Sequence, residues 1–251
     1  MSKFIEKIKR TTQTTLAPMG FHNATAQEKP KMLLIAQVTQ PGTKNPSIEG
    51  ADAGFIVVNE FSQEMDSIRK FNKTVPGIPW GLRLKDMDWE NREIPECDFI
   101  IFPLDMPVFA LPVKLGRIME IDITANDSIL RAIEELPVDA VFVDGKPDDT
   151  LTWQYMASIQ RLDNLISKSI LIRLPSGIKG DELPALWRAG VDAAVIDVGS
   201  VQASKRLTEL RRVVDTTSFS LPRKTKKTDV LLPFIQPAPG HEEEEEEPDE
   251  E

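Results

Sequence analysis

Short apolar segments recur along the chain, and four of them share one pattern. In each, a small or β-branched residue precedes an aspartate, and a run of apolar residues follows the aspartate. The aspartates are Asp52, Asp98, Asp139 and Asp192, separated by 46, 41 and 53 residues. A period of this size indicates a repeated structural unit. Because the apolar runs are continuous rather than alternating, they are typical of parallel strands that are buried on both faces.

Further apolar runs lie between the repeats, so the pattern predicts eight strands in all. These intervening runs occupy residues 32–38, 80–84, 117–123 and 169–174. Several connecting segments carry apolar residues at helical spacing, and we predict helices there. The predicted helices span residues 62–71, 126–136, 149–166, 181–189 and 202–215. The connections at 39–49, 85–95 and 105–114 contain proline or mixed polarity and predict short turns.

Alternating strands and helices predict the α/β class and a sheet of parallel strands. Eight strands with a period of about 46 residues fit a closed (β/α)8 TIM-like barrel. An open doubly wound parallel sheet is the alternative. The predicted barrel covers residues 31–215, which is shorter than the roughly 200 to 250 residues typical of this fold. We therefore expect a trimmed or degenerate barrel.

Two segments flank the predicted barrel. Residues 1–30 are expected to hold a small amphipathic helix with Phe4, Ile5 and Ile8 on one face, followed by a linker. This helix either caps the bottom of the barrel or binds a partner. Residues 216–251 form a Pro-rich tail, basic and then polyacidic, whose composition predicts a flexible segment or a docked peptide. Residues 228–251 are the expected contact of a homo-oligomer or a protein partner.

The negative charge of the chain is concentrated at its C-terminal end. The formal net charge is -10, but nine of the 40 acidic residues lie within residues 242–251. The remainder is near neutral, which gives no reason to expect general nucleic-acid binding. No apolar run approaches the roughly 18 residues of a membrane span, and the first residues lack the apolar stretch of a secretory signal. We expect no membrane contact and a cytoplasmic location.

Few residues in the chain suit soft metals or nucleophilic catalysis. A single cysteine, Cys97, excludes an internal disulfide and a Cys-based zinc site. The two histidines, His22 and His241, lie in the flanking segments, where nothing positions them for catalysis. If the barrel is an enzyme, acid-base chemistry falls to Asp, Glu or Lys, or is assisted by Mg²⁺, as in a lyase, isomerase or aldolase.

Active sites of such barrels lie at the C-terminal ends of the strands, and here polar residues end every predicted strand. These residues are Gln37, Thr39, Asn59, Glu60, Arg83, Lys85, Asp105, Glu120, Asp122, Thr124, Asp144, Lys146, Arg173, Ser176, Asp197 and Ser200. Asp122, Asp144 and Arg173 are the candidate catalytic residues among them.

Three carboxylates at the ends of neighbouring strands form a candidate metal site. Asp105, Glu120 and Asp144 end the fourth, fifth and sixth strands, and oxygen ligands of this kind suit Mg²⁺. The alternative is that Arg83 and Arg173 point into the same barrel and pair with these acids. The spacing of the acids does not distinguish a metal site from pairing with the arginines.

The segment PSGIKGDELPALWRAGVDAAVI, at residues 175–196, resembles the last quarter of phosphate-binding (β/α)8 enzymes. In that superfamily a Ser-Gly-Gly-Ile turn ends one strand, and a Gly-Ser turn ends the next. The resemblance implies that backbone amides of the two turns hold a phosphate-bearing ligand, with Ser176, Gly177, Gly199 and Ser200 as contacts. This chain places Asp197 where the superfamily has its second-turn glycine. A carboxylate there repels a phosphate unless a cation intervenes.

Two functions are consistent with these features. The first is an enzyme or ligand-binding barrel whose mouth holds an anionic small molecule, either phosphorylated or flavin-like, with Arg83, Lys85 and Arg173 countering its charge. The second is a catalytically silent barrel that serves as a scaffold or assembly subunit through its tail. An open pocket that contains an unpaired Arg173 favours the first. Strand-end charges that cancel inside a filled barrel favour the second.

Overall fold

Eight parallel strands form a closed barrel in the computed structural model, which describes residues 2–12, 31–39, 48–59, 68, 77–85, 95–107, 114–145, 150–175 and 177–219. The strands are β1 (Leu33–Val38), β2 (Ala53–Val58), β3 (Trp80–Leu84), β4 (Phe99–Pro103), β5 (Gly116–Ile121), β6 (Ala140–Val143), β7 (Ser169–Arg173) and β8 (Val191–Asp197). Each strand pairs with its neighbour in sequence, and β8 pairs with β1. This closure confirms the (β/α)8 TIM-like barrel and excludes the open doubly wound sheet.

Helices connect several of the strands and follow the last one. Those in the described ranges are α1 (Lys3–Thr12), α2 (Asp127–Glu135), α3 (Trp153–Leu165), α4 (Leu183–Arg188), α5 (Val201–Thr216) and a 3-10 turn at Gly180–Glu182. Asn126, Thr152 and Ser200 precede three of the helices, and each side chain accepts a hydrogen bond from a backbone N–H of the first turn. No helix in these ranges is long and apolar enough to cross a bilayer.

The structure changes two of the predicted helix starts. The helix predicted at 149–166 begins at Trp153, because Thr152 accepts the Tyr155 N–H and caps it. The helix predicted at 181–189 begins at Leu183, and the backbone N–H of Lys179 donates to the Glu182 carboxylate at 2.6 Å. Most of the helix predicted at 62–71 and the tail from residue 220 lie outside the described residues.

Alternate residues of the strands face the barrel interior and the surrounding helices, which explains the continuous apolar runs. Leu33 and Ile35 of β1 belong to the interior cluster, whereas Leu34 and Ala36 belong to the outer one. The outer cluster includes the buried faces of α2 to α5. The chain therefore has two apolar layers, one inside the barrel and one between the barrel and its helices.

The repeated aspartates have one shared structural role at the N-terminal end of the barrel. Three of them accept a hydrogen bond from a backbone N–H of the preceding odd-numbered strand. The pairs are Asp52 with Leu34 (2.9 Å), Asp139 with Arg117 (2.9 Å) and Asp192 with Ile170 (2.8 Å). Each carboxylate thus ties the start of one strand to its neighbour. In three of its four members, the repeat seen in the sequence is therefore a pair of strands joined by one aspartate carboxylate.

Asp98, the fourth member of the repeat, binds α1 instead. Its carboxylate accepts the backbone N–H groups of Lys3 and Phe4, both at 2.8 Å, and the hydroxyl of Ser2 at 2.7 Å. The Phe4 ring packs against Phe99 with their centroids 4.8 Å apart. Phe4 and its neighbours on α1 are buried in the interior cluster of the barrel. The helix therefore caps the bottom of the barrel, one of the two roles expected for it.

Candidate functional site

A buried arginine organises the carboxylates in the mouth of the barrel. Arg83 of β3 is only 1% exposed, and its guanidinium binds Glu120 of β5 through two hydrogen bonds of 2.8 and 2.6 Å. Its Nη2 also donates to Asp144, which follows β6. The guanidinium carbon lies 4.9 Å from the centre of the Phe142 ring. Two carboxylates from different strands therefore converge on one cation.

The environment of Arg83 keeps it charged. Burial alone lowers the pKa of this guanidinium, because desolvation disfavours the charged form. The hydrogen bonds and negative charges of Glu120 and Asp144 outweigh burial, so the pKa lies above its ordinary value. Arg83 is consequently a fixed cation. Removing Arg83 would leave the two carboxylates without their cation, and removing the carboxylates would leave the buried Arg83 without a counter-charge.

Arg173 of β7 extends this network toward the surface. Its Nε lies 2.7 Å from Oδ1 of Asp144, but its N–H donates to the carbonyl oxygen of Gly145 at 2.9 Å. The contact with Asp144 is therefore ionic and not a hydrogen bond. Glycine is required at 145, since a Cβ there would lie 2.6 Å from the Arg173 carbonyl oxygen. The result is a chain of alternating charges in the order Glu120, Arg83, Asp144 and Arg173.

A cavity of about 340 Å³ opens beside Arg173, at the C-terminal ends of β7 and β8. We call it the β7–β8 cavity. Its walls are Arg173, Leu174, Pro175, Ile178, Ile196, Asp197, Ser200, Gln202, Ala203, Arg206 and Leu210. Ser200 to Leu210 belong to the start and first three turns of α5, so the N-terminus of this helix forms one wall. A helix N-terminus carries partial positive charge and backbone N–H groups, which suit an anion.

Asp197, at the end of β8, also lines the cavity. Its Oδ1 accepts the N–H of Gly199 at 2.9 Å, and its Oδ2 accepts from the Thr39 hydroxyl at 2.8 Å and from Nε2 of Gln37 at 3.2 Å. Gln37 is 1% exposed and points into the barrel from β1. All three partners are neutral. The carboxylate thus joins the end of β8 to the end of β1.

Of the residues of the phosphate-binding resemblance, Ser200 lines the cavity, and Gly199 and Gly177 each lie next in sequence to a lining residue. The Gly199 N–H already donates to Asp197, and the Ser200 hydroxyl accepts the Ala203 N–H at 3.2 Å as a helix cap. Gly177 is exposed, with open space around its Cβ position. Ser176 lies outside the described residues. Their role as ligand contacts stays a prediction.

Of the other predicted residues, some belong to the charge network and some lie apart from it. Asp144 and Arg173 belong to the charge network, but only Arg173 lines the cavity. Asp122 accepts the backbone N–H and the hydroxyl of Thr124, at 2.7 and 2.6 Å, and closes its own turn. Asp105 is exposed in the turn after β4. The catalytic role predicted for Asp122 and Asp144 remains a prediction.

The three carboxylates predicted as metal ligands do not share one environment, since Asp105 is exposed and the other two lie in the mouth of the barrel. Glu120 and Asp144 converge on Arg83, as the alternative of charge pairing expects. Among the residues that the structure describes, no three His, Cys, Asp or Glu side chains form a group suited to a metal ion. The magnesium site of Asp105, Glu120 and Asp144 stays a prediction.

One charged residue that lines the cavity was not predicted from the sequence. Arg206 lies on α5, where its guanidinium contacts Glu209 at 3.0 Å and the carbonyl oxygen of Ile178. Gln202, Ala203, Arg206 and Leu210 all line the cavity, at the spacing of one helix face. That spacing was visible in the sequence. Only the position of the helix across the ends of β7 and β8 shows that Arg206 belongs to the site.

Solved structures of other proteins share the fold of this chain. Orotidine 5'-phosphate decarboxylase from Pyrococcus horikoshii OT3 matches with a TM-score of 0.53 and 12% identity, over 72% of this chain and 100% of that chain. A mutant tryptophan synthase alpha-subunit from Pyrococcus furiosus matches with a TM-score of 0.51 and 11% identity, over 75% of this chain and 98% of that chain. No protein-family model and no curated protein matches the sequence. At this level of identity the two likenesses show the fold alone, and the chain is a TIM barrel.

Proposed function

We propose that this TIM barrel binds a small phosphate-bearing molecule in the β7–β8 cavity. The observation that carries the proposal is the position of Arg173. Its Nε is fixed by Asp144 and Gly145, and within the described residues its two terminal nitrogens have no partner. These nitrogens are the part of the guanidinium that can bind a ligand. Two parallel N–H donors match the geometry of a phosphate.

The surroundings of Arg173 support the same ligand. The cavity is large enough for a small metabolite and is bordered by apolar side chains such as Leu174, Ile178 and Ile196. The first turn of α5 adds backbone N–H groups and the positive end of a helix dipole. One protein of this fold, orotidine 5'-phosphate decarboxylase, acts on a phosphorylated compound by its name. The fold therefore accommodates such ligands.

The charge network gives Arg173 a fixed direction. Asp144 contacts Arg173 on one side and Arg83 on the other, and Arg83 is in turn held by Glu120. An arginine that is already ordered loses less conformational entropy when a ligand binds. In this proposal Arg83, Glu120 and Asp144 position Arg173. Arg173 itself binds the anion.

Calorimetric titration of the full chain with n-propyl phosphate tests the proposal. Wild-type protein is expected to bind one equivalent, and Arg173→Gln is expected to bind at least about tenfold more weakly, because it loses a bidentate charged contact. Arg188→Gln removes an exposed arginine on α4, outside the cavity lining, and serves as the matched control. Equal binding by wild type and Arg173→Gln would contradict the proposal.

The scaffold hypothesis assigns binding to residues 228–251, which lie outside the described residues. It stays the alternative function. Removing residues 222–251 and measuring the mass of the native assembly tests it, because a scaffold that uses the tail would lose its partner or its oligomeric state.

A further inference from the structure

The β7–β8 cavity contains a carboxylate without a cationic partner. Asp197 accepts hydrogen bonds only from Gly199, Thr39 and Gln37, and it forms no ion pair with any residue that the structure describes. Neutral donors fix its orientation but leave its negative charge uncompensated. Because Asp197 lines the cavity, a ligand in the cavity meets this charge.

The other charges around the cavity already cancel. Arg173 contacts Asp144. The charge network as a whole contains two carboxylates, Glu120 and Asp144, and two arginines, Arg83 and Arg173. Arg206 pairs with Glu209 at 3.0 Å. The charge left over is that of Asp197. A ligand with only a phosphate would gain contacts at Arg173 and at the same time be repelled by Asp197.

We propose that the ligand is zwitterionic, with an amine that binds Asp197 and a phosphate that binds Arg173. This inference rests on the proposed function and adds the second charged group of the ligand. An ammonium group would supply the missing counter-charge of Asp197 and can donate three hydrogen bonds. The carboxylate that conflicts with a plain phosphate site thereby becomes a determinant of specificity.

The positions of the two residues suit a short molecule. Arg173 lies beside Val195 on the neighbouring strand, and Asp197 follows Val195 by two residues on the same face. Strands are about 4.8 Å apart and rise about 3.3 Å per residue, which puts the two Cα atoms about 8 Å from each other. Both side chains reach into one small cavity. A short carbon chain between amine and phosphate spans such a separation.

Two phosphate esters of nearly equal size provide the test. The 2-aminoethyl phosphate carries an ammonium group where n-propyl phosphate carries a methyl group. Wild-type protein, titrated by calorimetry in the presence of EDTA, is expected to bind the amine about tenfold more tightly. In Asp197→Asn this preference is expected to vanish, and n-propyl phosphate should bind more tightly than in wild type because the repulsion is removed.

The Asp197→Asn variant is expected to fold. Asparagine keeps one oxygen for the Gly199 N–H. Its new amide group can donate to Oε1 of Gln37, a buried atom that has no hydrogen-bond partner within the described residues. A rotation of the Gln37 amide and of the Thr39 hydroxyl would restore the remaining contacts. Glu135→Gln removes an exposed charge on α2 and controls for the change in net charge.

The outcomes separate this inference from the proposed function. If neither ester binds, the proposed function fails. If both bind equally to wild type, or if Asp197→Asn keeps the preference for the amine, the zwitterionic ligand is excluded and the phosphate site stands. If n-propyl phosphate binds as tightly as the amine once Mg²⁺ replaces EDTA, the counter-charge of Asp197 is a metal ion, and the proposal of an amine is overturned.

Discussion

The two ends of this barrel use aspartate in opposite ways. At the N-terminal end, Asp98 fills the start of α1 with its own carboxylate and accepts both of the backbone N–H groups at Lys3 and Phe4. At the C-terminal end, the start of α5 faces a cavity. At the start of α1 the chain itself supplies the anion, whereas beside the start of α5 we propose that the cavity holds an anion from solution. The difference separates a structural end from the end that we propose binds the ligand, here called the binding end.

The partners of the carboxylates differ in the same way. Asp52, Asp139 and Asp192 accept backbone N–H groups from the neighbouring strand, so their role needs only a strand beside them. Glu120 and Asp144 bind the side chain of Arg83 from two strands away or more. The first arrangement can repeat around the barrel, whereas the second occurs in one sector.

Loss of the buried cation is expected to have the largest effect. Arg83→Met leaves Glu120 and Asp144 close together without their shared counter-charge, and we expect the free energy of unfolding to fall by about 3–5 kcal/mol. Denaturant unfolding at neutral pH measures this loss of free energy. Arg188→Met, at an exposed position, should change stability by less than about 0.5 kcal/mol. A loss below about 1 kcal/mol for Arg83→Met would show that the network is not buried as described.

At the opposite end, Asp98→Ala is expected to cost about 2–3 kcal/mol, because three donors at the start of α1 lose a charged acceptor. The variant Asp139→Ala loses the 2.9 Å hydrogen bond from Arg117 and should cost about 1–2 kcal/mol. Hydrogen exchange should report faster exchange across α1 in Asp98→Ala only. Equal loss of α1 protection in both variants would contradict a special role for Asp98.

Alkaline pH is expected to destabilise the N-terminal end through Cys97. Burial, with a smaller contribution from Asp98, raises the pKa of this thiol from 9.0 to about 12. The folded state therefore keeps its proton where the unfolded state loses it, so stability is full below about pH 9 and falls as pH rises toward about 12. Between about pH 8 and 10 the contribution is about 1.4 kcal/mol. Denaturant unfolding of wild type and Cys97→Ala at both pH values measures this contribution to the free energy of unfolding. Equal pH dependence of the two proteins would contradict the prediction.

Ser200→Ala is expected to have the smallest effect and sharpens the description of the binding end. The hydroxyl caps α5 by accepting the Ala203 N–H, so its loss should cost about 1 kcal/mol. Because the cap and not the ligand uses this hydroxyl, affinity for n-propyl phosphate should stay within about twofold of wild type. A tenfold loss of affinity with unchanged stability would restore Ser200 to the role that the resemblance implies.

The fold could be predicted from the sequence because its signal is local and repeated. Each strand is a largely continuous apolar run, and three of the four repeated aspartates accept a hydrogen bond from the neighbouring strand. The closure of the barrel confirms that prediction. The start of α4 was predicted less well, since Asp181 resembles a cap in sequence while the backbone there forms a 3-10 turn first.

The site could be predicted only in part. The polar residues at the strand ends were evident, but their pairing depends on which strands face each other across the interior. The sequence left open whether Glu120 and Asp144 bind a metal or Arg83, and the structure shows them on Arg83. Arg206 was missed because its contribution depends on how α5 crosses the barrel. The hydrogen bond from Gln37 to Asp197 joins the ends of β1 and β8. The two residues are far apart in the chain, so the sequence gives no sign of this contact.

Amide NMR of the full chain during titration with inorganic phosphate tests the central claim most directly, because it reports on both ends of the barrel at once. We predict saturable shifts at the backbone N–H of Gln202 and at the Nη groups of Arg173, with none at Lys3 or Phe4, whose N–H groups Asp98 already occupies. Absence of shifts at the start of α5, or equal shifts at Lys3 and Phe4, would contradict the assignment of the β7–β8 cavity as the anion site.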